Sequence, residues 1–162
     1  MENSPTKAEL NKKTKLTSMY FNRYLIFRYV TALFFFINLY WSVLSFANVS
    51  SWMIVPLGLL IIDIAIIIEQ TAKYWKPTSR LPVTKIGYAI QMISNVLGMV
   101  MILLGHQKLL FPFINNEGKS LLVACLVLGF VIGVFVEWRI WQIEHNKDAY
   151  LKYMKQFENS MN

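Results

Sequence analysis

Cysteine is nearly missing from this chain. Cys125 stands alone inside an apolar run, where it is expected to be buried, so no intrachain disulfide can form and a cysteine-based metal site has nothing to build on. Histidine is almost as scarce. His106 and His145 fall on opposite sides of the membrane in the topology derived below, so they cannot share a site within one chain, and each reads as an ordinary interfacial histidine. There is no glycine-rich phosphate loop, and Ser42 and Ser94 have no candidate base at their depth. These absences predict a protein that is not an enzyme and holds neither cofactor nor metal. Charge is the third shortage: charged residues make up 15% of the chain, against roughly 25% in a soluble domain. A net charge of +7 could suggest nucleic acid, but the basic residues flank apolar runs instead of forming one solvated face. They predict a bilayer with anionic headgroups as the partner, and no nucleic acid.

Apolar residues supply what the charges do not, at 56% of 162 residues and a mean hydropathy of +0.42. A bilayer core about 30 Å thick needs roughly 20 apolar residues at 1.5 Å rise per residue. Four runs meet that length, at about 29–46, 52–71, 83–105 and 121–140. The connections Ala47 to Ser51, Ala72 to Pro82 and His106 to Ser120 leave no room for a soluble domain, and Pro77 and Pro82 are expected to break helix in the second of them. The chain therefore divides into a basic segment 1–28, a four-span domain 29–140 and a tail 141–162. The fold class expected is an all-α integral membrane protein, a four-helix transmembrane bundle with amphipathic flanking segments. A secretory signal peptide ending at Ser45-Phe46-Ala47 is the weaker reading of the first run, because its polar lead is long and it carries the aromatic pair Tyr40-Trp41.

Basic residues set orientation, since those near span ends are retained on the cytoplasmic side. The N-terminal segment holds Lys7, Lys12, Lys13, Lys15, Arg23 and Arg28, and the second connection and its edge hold Lys73, Lys76, Arg80 and Lys85. The tail adds Arg139, Lys147, Lys152 and Lys155, whereas only Lys108 and Lys119 fall on the other side. Tyr24, Tyr74, Trp75, Tyr88, Trp138 and Trp141 are expected to form an inner aromatic belt, and Trp41, Trp52, Phe111 and Phe113 an outer one. Both signals predict cytoplasmic N- and C-termini in a multi-pass protein of the plasma membrane.

In lipid, helices associate by close packing and interhelical hydrogen bonds, so small and polar residues mark the faces that meet. Span one carries Arg28, Thr31, Asn38, Ser42 and Ser45 on one side; span two repeats Pro56, Asp63 and Gln70 every seven residues. Span three aligns Gly87, Gln91, Ser94, Asn95, Gly98 and Gly105, and span four Cys125, Gly129, Gly133 and Glu137. Gly98, Gly129 and Gly133 are expected at helix contacts, and the Gly129/Gly133 pair serves either the bundle or a homodimer. Counting from the predicted edges puts Asn38, Asp63 and Asn95 near the bilayer midplane, with Gln91 one turn from Asn95. An ionised carboxylate there costs roughly 2.5–3.5 kcal/mol, and no Lys or Arg lies at its depth, so a protonated or proton-sharing Asp63 is expected. It either bonds the amides of Asn38 or Asn95 and fixes helix register, or binds and releases a proton or cation, or meets another subunit. Arg28, Glu69, Glu137 and Arg139 lie toward the cytoplasmic edge and are expected to pair with each other or reach water.

The tail is expected to continue span four as an amphipathic helix. Ile143, Tyr150, Leu151, Met154 and Phe157 group on one face, and Asp148 and Lys152 form an i,i+4 pair. The N-terminal segment opens with a capping-box pattern, Thr6-Lys7-Ala8-Glu9, and reads as a helix lying on the membrane surface. The stretch from Tyr20 through Phe35-Phe36-Ile37-Asn38-Leu39-Tyr40 to Trp41 resembles the first span of small four-helix membrane proteins of low-GC Gram-positive bacteria, some of which carry sugar phosphotransferase subunit names. The resemblance implies a bacterial plasma-membrane protein. It does not imply phosphotransfer chemistry, because neither His106 nor His145 matches the phosphorylatable histidine of a soluble phosphotransferase component. The function expected is a non-enzymatic accessory or regulatory subunit of a membrane transport or envelope complex. The alternative is a small proton- or cation-coupled transporter, a homodimer using Asp63, and a third reading compatible with size and topology is a bacteriocin-immunity or pore-modulating protein.

Overall fold

A computed structural model describes residues 7–75 and 78–159. The expected capping box at Thr6, together with Lys76 and Pro77, lies outside the described residues, as do the side chains of Tyr74, Trp75, Tyr150 and Phe157. The described residues form helices and no strand, with α1 (Lys7–Arg23), α2 (Leu25–Ala47), α3 (Ile54–Trp75), α4 (Pro82–Leu103), α5 (Gln107–Leu110), α6 (Lys119–Glu144) and α7 (Ala149–Asn159). Short 3-10 turns, Ser51–Met53 and Asn116–Gly118, lead into α3 and α6. Four helices, α2, α3, α4 and α6, are long and apolar enough to cross a membrane.

Helix ends explain where the spans stop. Beyond α4, Gly105 adopts φ 80, the Gly105 amide bonds the Ile102 carbonyl and the His106 amide bonds that of Met101, which is a Schellman closure. Gly105 thus ends the helix instead of extending its small-residue face. Asn146, at φ 53, closes α6 in the same way. The tail therefore does not continue span four: the chain turns at Asn146, and α7 restarts behind Asp148, whose carboxylate accepts the Leu151 amide at 3.3 Å as an N-cap. Pro82 is the first residue of α4 and not a breaker, because the missing N–H costs nothing at that position. Val49 closes α2 at φ 49, an unusual conformation for a β-branched residue.

The packing is inverted relative to a soluble protein. Ile61, Ile68, Leu103 and Leu121 are more than 60% exposed, while Asn38, Thr31, Gln70 and Thr84 are at or below 1%. A surface of that composition is stable against acyl chains and not against water. α2 packs on α3, α3 on α4 and α4 on α6. Close approach of α4 and α6 relies on glycine: a methyl group built on Gly133 would fall 2.5 Å from Met92 Cγ, one on Gly129 2.8 Å from Asn95 Nδ2, and one on Gly98 3.3 Å from Leu126 Cδ1. The face that the Gly129/Gly133 pattern could offer a second copy is covered by α4 of the same chain. Across α3 and α4, Gly87 likewise lies against Ile66.

Several expected belt aromatics are core residues. Tyr24 and Tyr88 are 1% and 2% exposed, and Trp41 stacks on Phe111 with ring centroids 4.7 Å apart while donating from Nε1 to the Leu110 carbonyl. Each has a polar tip with a partner inside the protein, which removes its reason to sit at an interface. Trp52, Trp138 and Trp141 remain exposed.

Candidate functional site

Near mid-length of the long helices, four side chains form one hydrogen-bonded chain. Asn38 Nδ2 of α2 donates to Asp63 Oδ2 of α3 at 2.7 Å and to Gln91 Oε1 of α4 at 3.0 Å, and Gln91 Nε2 donates to Asn95 Oδ1 at 3.3 Å. All four residues are buried. Asp63 thus meets Asn38 directly, whereas Asn95 is reached only through Gln91. The carboxylate sets the polarity of the series. Asp63 Oδ2 accepts, so Asn38 turns its NH2 toward it; that same NH2 meets Gln91, which offers its carbonyl to Asn38 and its NH2 to Asn95. Asp63 makes no ion pair among the described residues. The series leaves two atoms over, since Asn38 Oδ1 and Asn95 Nδ2 are buried without a partner.

A cavity of about 410 Å³ lies beside this series, between α2 and α6. Asn38, Gln91 and Asn95 line it and Asp63 does not; its other walls are apolar and aromatic, including Phe34, Trp41, Phe111 and Phe113. Gly129 forms part of the wall against Asn95, where any side chain would fill the space that the amide occupies. Cys125 is exposed and lines the same cavity, which corrects its expected burial.

A second polar level lies one to two turns closer to the termini. Thr31 donates to the Phe27 carbonyl at 2.7 Å, so its oxygen can only accept from Gln70 Nε2 at 3.0 Å and from the Tyr88 hydroxyl at 3.0 Å. Ser42, by contrast, bonds the Asn38 carbonyl of its own helix, and Ser45 Oγ is buried without a partner, so neither hydroxyl makes an interhelical hydrogen bond.

At the end of the molecule that carries both flanking helices, the charged residues take partners other than those expected. Arg28 lies 3.5 Å above the Phe21 ring and donates to the Gln70 carbonyl at 3.3 Å. Glu69 accepts the Val83 amide at 3.1 Å and the Thr84 amide and hydroxyl at 2.7 Å each. It caps α4 from α3, because the local N-cap residue, Leu81, has no acceptor. Arg139 donates to Gln142, and Glu137 Oε1 is buried without a partner. Among the described residues none of Arg28, Glu69, Glu137 and Arg139 forms an ion pair with another: backbone groups and a ring hold Arg28 and Glu69, and a side-chain amide holds Arg139. The buried ion pair of this end joins Arg23 to Asp148, at 2.8 Å from Nε and 2.5 Å from Nη2, with the two side chains 4% and 1% exposed. Tyr24 donates to the Thr78 carbonyl at 2.8 Å, and Lys85 reaches Glu144 at 3.3 Å on the surface. Sequence reading missed the Arg23–Asp148 pair because its members are 125 positions apart. The signal available was Asp148 standing just ahead of an amphipathic run, where a capping acid belongs.

No protein-family model, curated protein or solved structure matches the chain.

Proposed function

We propose that this chain is a non-enzymatic, multi-span protein of a bacterial plasma membrane that acts as an accessory or regulatory subunit of a transport or envelope complex, with both termini cytoplasmic. The observation that carries this reading is the destination of the Asp63 carboxylate. It bonds Asn38 inside the helix seam and does not line the cavity between α2 and α6, the arrangement of a group that fixes the register of α2 against α3 and α4. The positive-inside rule supports the orientation, because the flanking helices and the 73–85 connection gather the basic residues at one end. Exposed Lys7, Lys12 and Lys15 along α1 suit anionic headgroups. The partner surface is the end where the Arg23–Asp148 pair holds α1 and α7 together.

Affinity purification of the tagged chain in mild detergent tests this reading. A membrane protein should co-purify in fixed ratio, and should be lost when Arg23→Met loosens the α1–α7 platform. Recovery of the isolated chain under every solubilisation condition would sink the idea.

One observation favours the transporter alternative: the bonded series from Asp63 ends at a cavity among the long helices. In that reading Asp63→Asn abolishes proton- or cation-coupled flux in proteoliposomes. In the accessory-subunit reading the same variant leaves partner binding and ion flux at wild-type levels.

A further inference from the structure

The cavity between α2 and α6 has a property that the register role of Asp63 does not use. Its walls are apolar and aromatic, no charged side chain lines it, and yet two of its lining residues, Asn38 and Asn95, are 0% and 5% exposed with an unpartnered polar atom each. One of these atoms is an acceptor, Asn38 Oδ1, and the other a donor, Asn95 Nδ2. Both atoms are covered as the cavity stands; the last torsion of asparagine is soft, and an occupant that bonds the free atom offsets the strain on the amide's existing bonds as it turns. A water could bridge the two amides, but the rest of the wall is apolar and offers it nothing further, so most of the volume is better filled by an apolar body. An ion or charged headgroup finds no counter-charge there. An alkane fills the space and leaves both amides unsatisfied; a ketone answers Asn95 alone. A hydroxyl answers both, donating to Asn38 Oδ1 and accepting from Asn95 Nδ2.

The mouth shows where such a molecule comes from. Leu33 and Ile37 on α2 and Leu128 on α6 line the cavity and are 47%, 49% and 60% exposed on two of the helices long and apolar enough to cross a membrane, so the opening lies on the flank of these helices. The volume of about 410 Å³ falls within the roughly 300–1,000 Å³ of pockets that hold small ligands. We propose that this cavity binds a neutral lipid bearing a hydroxyl group, which enters sideways from the bilayer and places its oxygen between Asn38 and Asn95. The proposal goes beyond the accessory-subunit reading and can fail without it.

Cys125, on the cavity wall and unique in the chain, provides the test. The full chain is placed in phospholipid nanodiscs with matched mole fractions of 1-dodecanol, 2-dodecanone or dodecane, and alkylation of Cys125 by a membrane-permeant maleimide is timed. Dodecanol should slow alkylation about tenfold more than dodecane, because two net hydrogen bonds separate the ligands, with the ketone between them. Asn95→Leu should bring alcohol and alkane together. Leu33→Trp, on the exposed rim, blocks the mouth without touching the seam and should remove protection by dodecanol in the same bilayer. Equal protection by alcohol and alkane, protection by none of the probes, or dodecanol protection that survives Leu33→Trp each overturns the proposal. A ketone as effective as the alcohol overturns the hydroxyl assignment.

Discussion

The two polar regions of this molecule solve different problems. At mid-length, Asn38, Gln91 and Asn95 extend from one carboxylate as a series of uncharged amides, joining three successive long helices. At the end carrying the flanking helices, ionised side chains do the joining, and their partners are distant in sequence or belong to the backbone. Dielectric depth accounts for the difference. Deep in hydrocarbon an unpaired charge costs several kcal/mol and amides are the affordable glue, whereas near headgroups and water a guanidinium or carboxylate is tolerated and makes the stronger bond. The deep region fixes which helix faces meet. The shallow region fixes how segments outside the spans attach.

That division is broken most severely at Asp148. Asp148→Asn keeps an N-cap for α7 but leaves the Arg23 guanidinium buried opposite an uncharged amide, and breaking a buried pair on one side costs about 3–5 kcal/mol. Thermal unfolding in detergent should register the loss as a lower Tm, and limited proteolysis should show α7 released first. Arg23→Met with Asp148→Leu, which removes both charges, should recover much of the stability. A double variant as unstable as Asp148→Asn would mean that packing around the pair, and not the uncompensated charge, matters.

The mid-length series should respond less, and differently to two substitutions in one contact. Asn38→Leu deprives both Asp63 and Gln91 of their donor, leaving buried acceptors unmet at a cost of about 1–3 kcal/mol. Asp63→Asn retains an acceptor of nearly the same shape and should cost under about 1 kcal/mol, in line with the ~0.6 kcal/mol average for hydrogen bonds between membrane helices. Tm measured in parallel for the two variants decides the point: a larger loss from Asp63→Asn would show that the charge itself holds the seam together.

The same depth difference governs what the sequence reveals. Asn38, Asp63, Gln91 and Asn95 stand out because polar residues in apolar runs are rare and heptad-like spacing places them on inward faces. Tyr88 and Trp41 do not stand out, since an aromatic near a span end looks alike whether its polar tip meets headgroups or, as with Tyr88, a buried threonine. The shallow contacts are harder still. Asp148 has a plausible local partner in Lys152, four positions on, and the sequence holds no sign that Arg23 outcompetes it. The cavity and the exposure of Cys125 depend on how far α2 stands from α6, a distance that no helical periodicity encodes.

Glu69 tests the shallow region at its mildest. The first turn of α4 has three peptide nitrogens to account for after Pro82, which has no N–H. Lys85 bonds the Leu81 carbonyl, and Val83 and Thr84 bond the Glu69 carboxylate. Replacing Glu69 with Ala removes both acceptors at once, but this end of the helix lies near water, which can take over as partner. The cost should therefore be that of a lost cap, about 0.5–2 kcal/mol, or a fall in Tm of a few degrees. Hydrogen exchange localises the effect: the Val83 and Thr84 amides should lose protection while those of Gln91 and Asn95, two and three turns further along α4, keep theirs. If exchange also quickens at Gln91 and Asn95, the cap and the mid-length series are one cooperative unit, and the separation into deep and shallow regions fails.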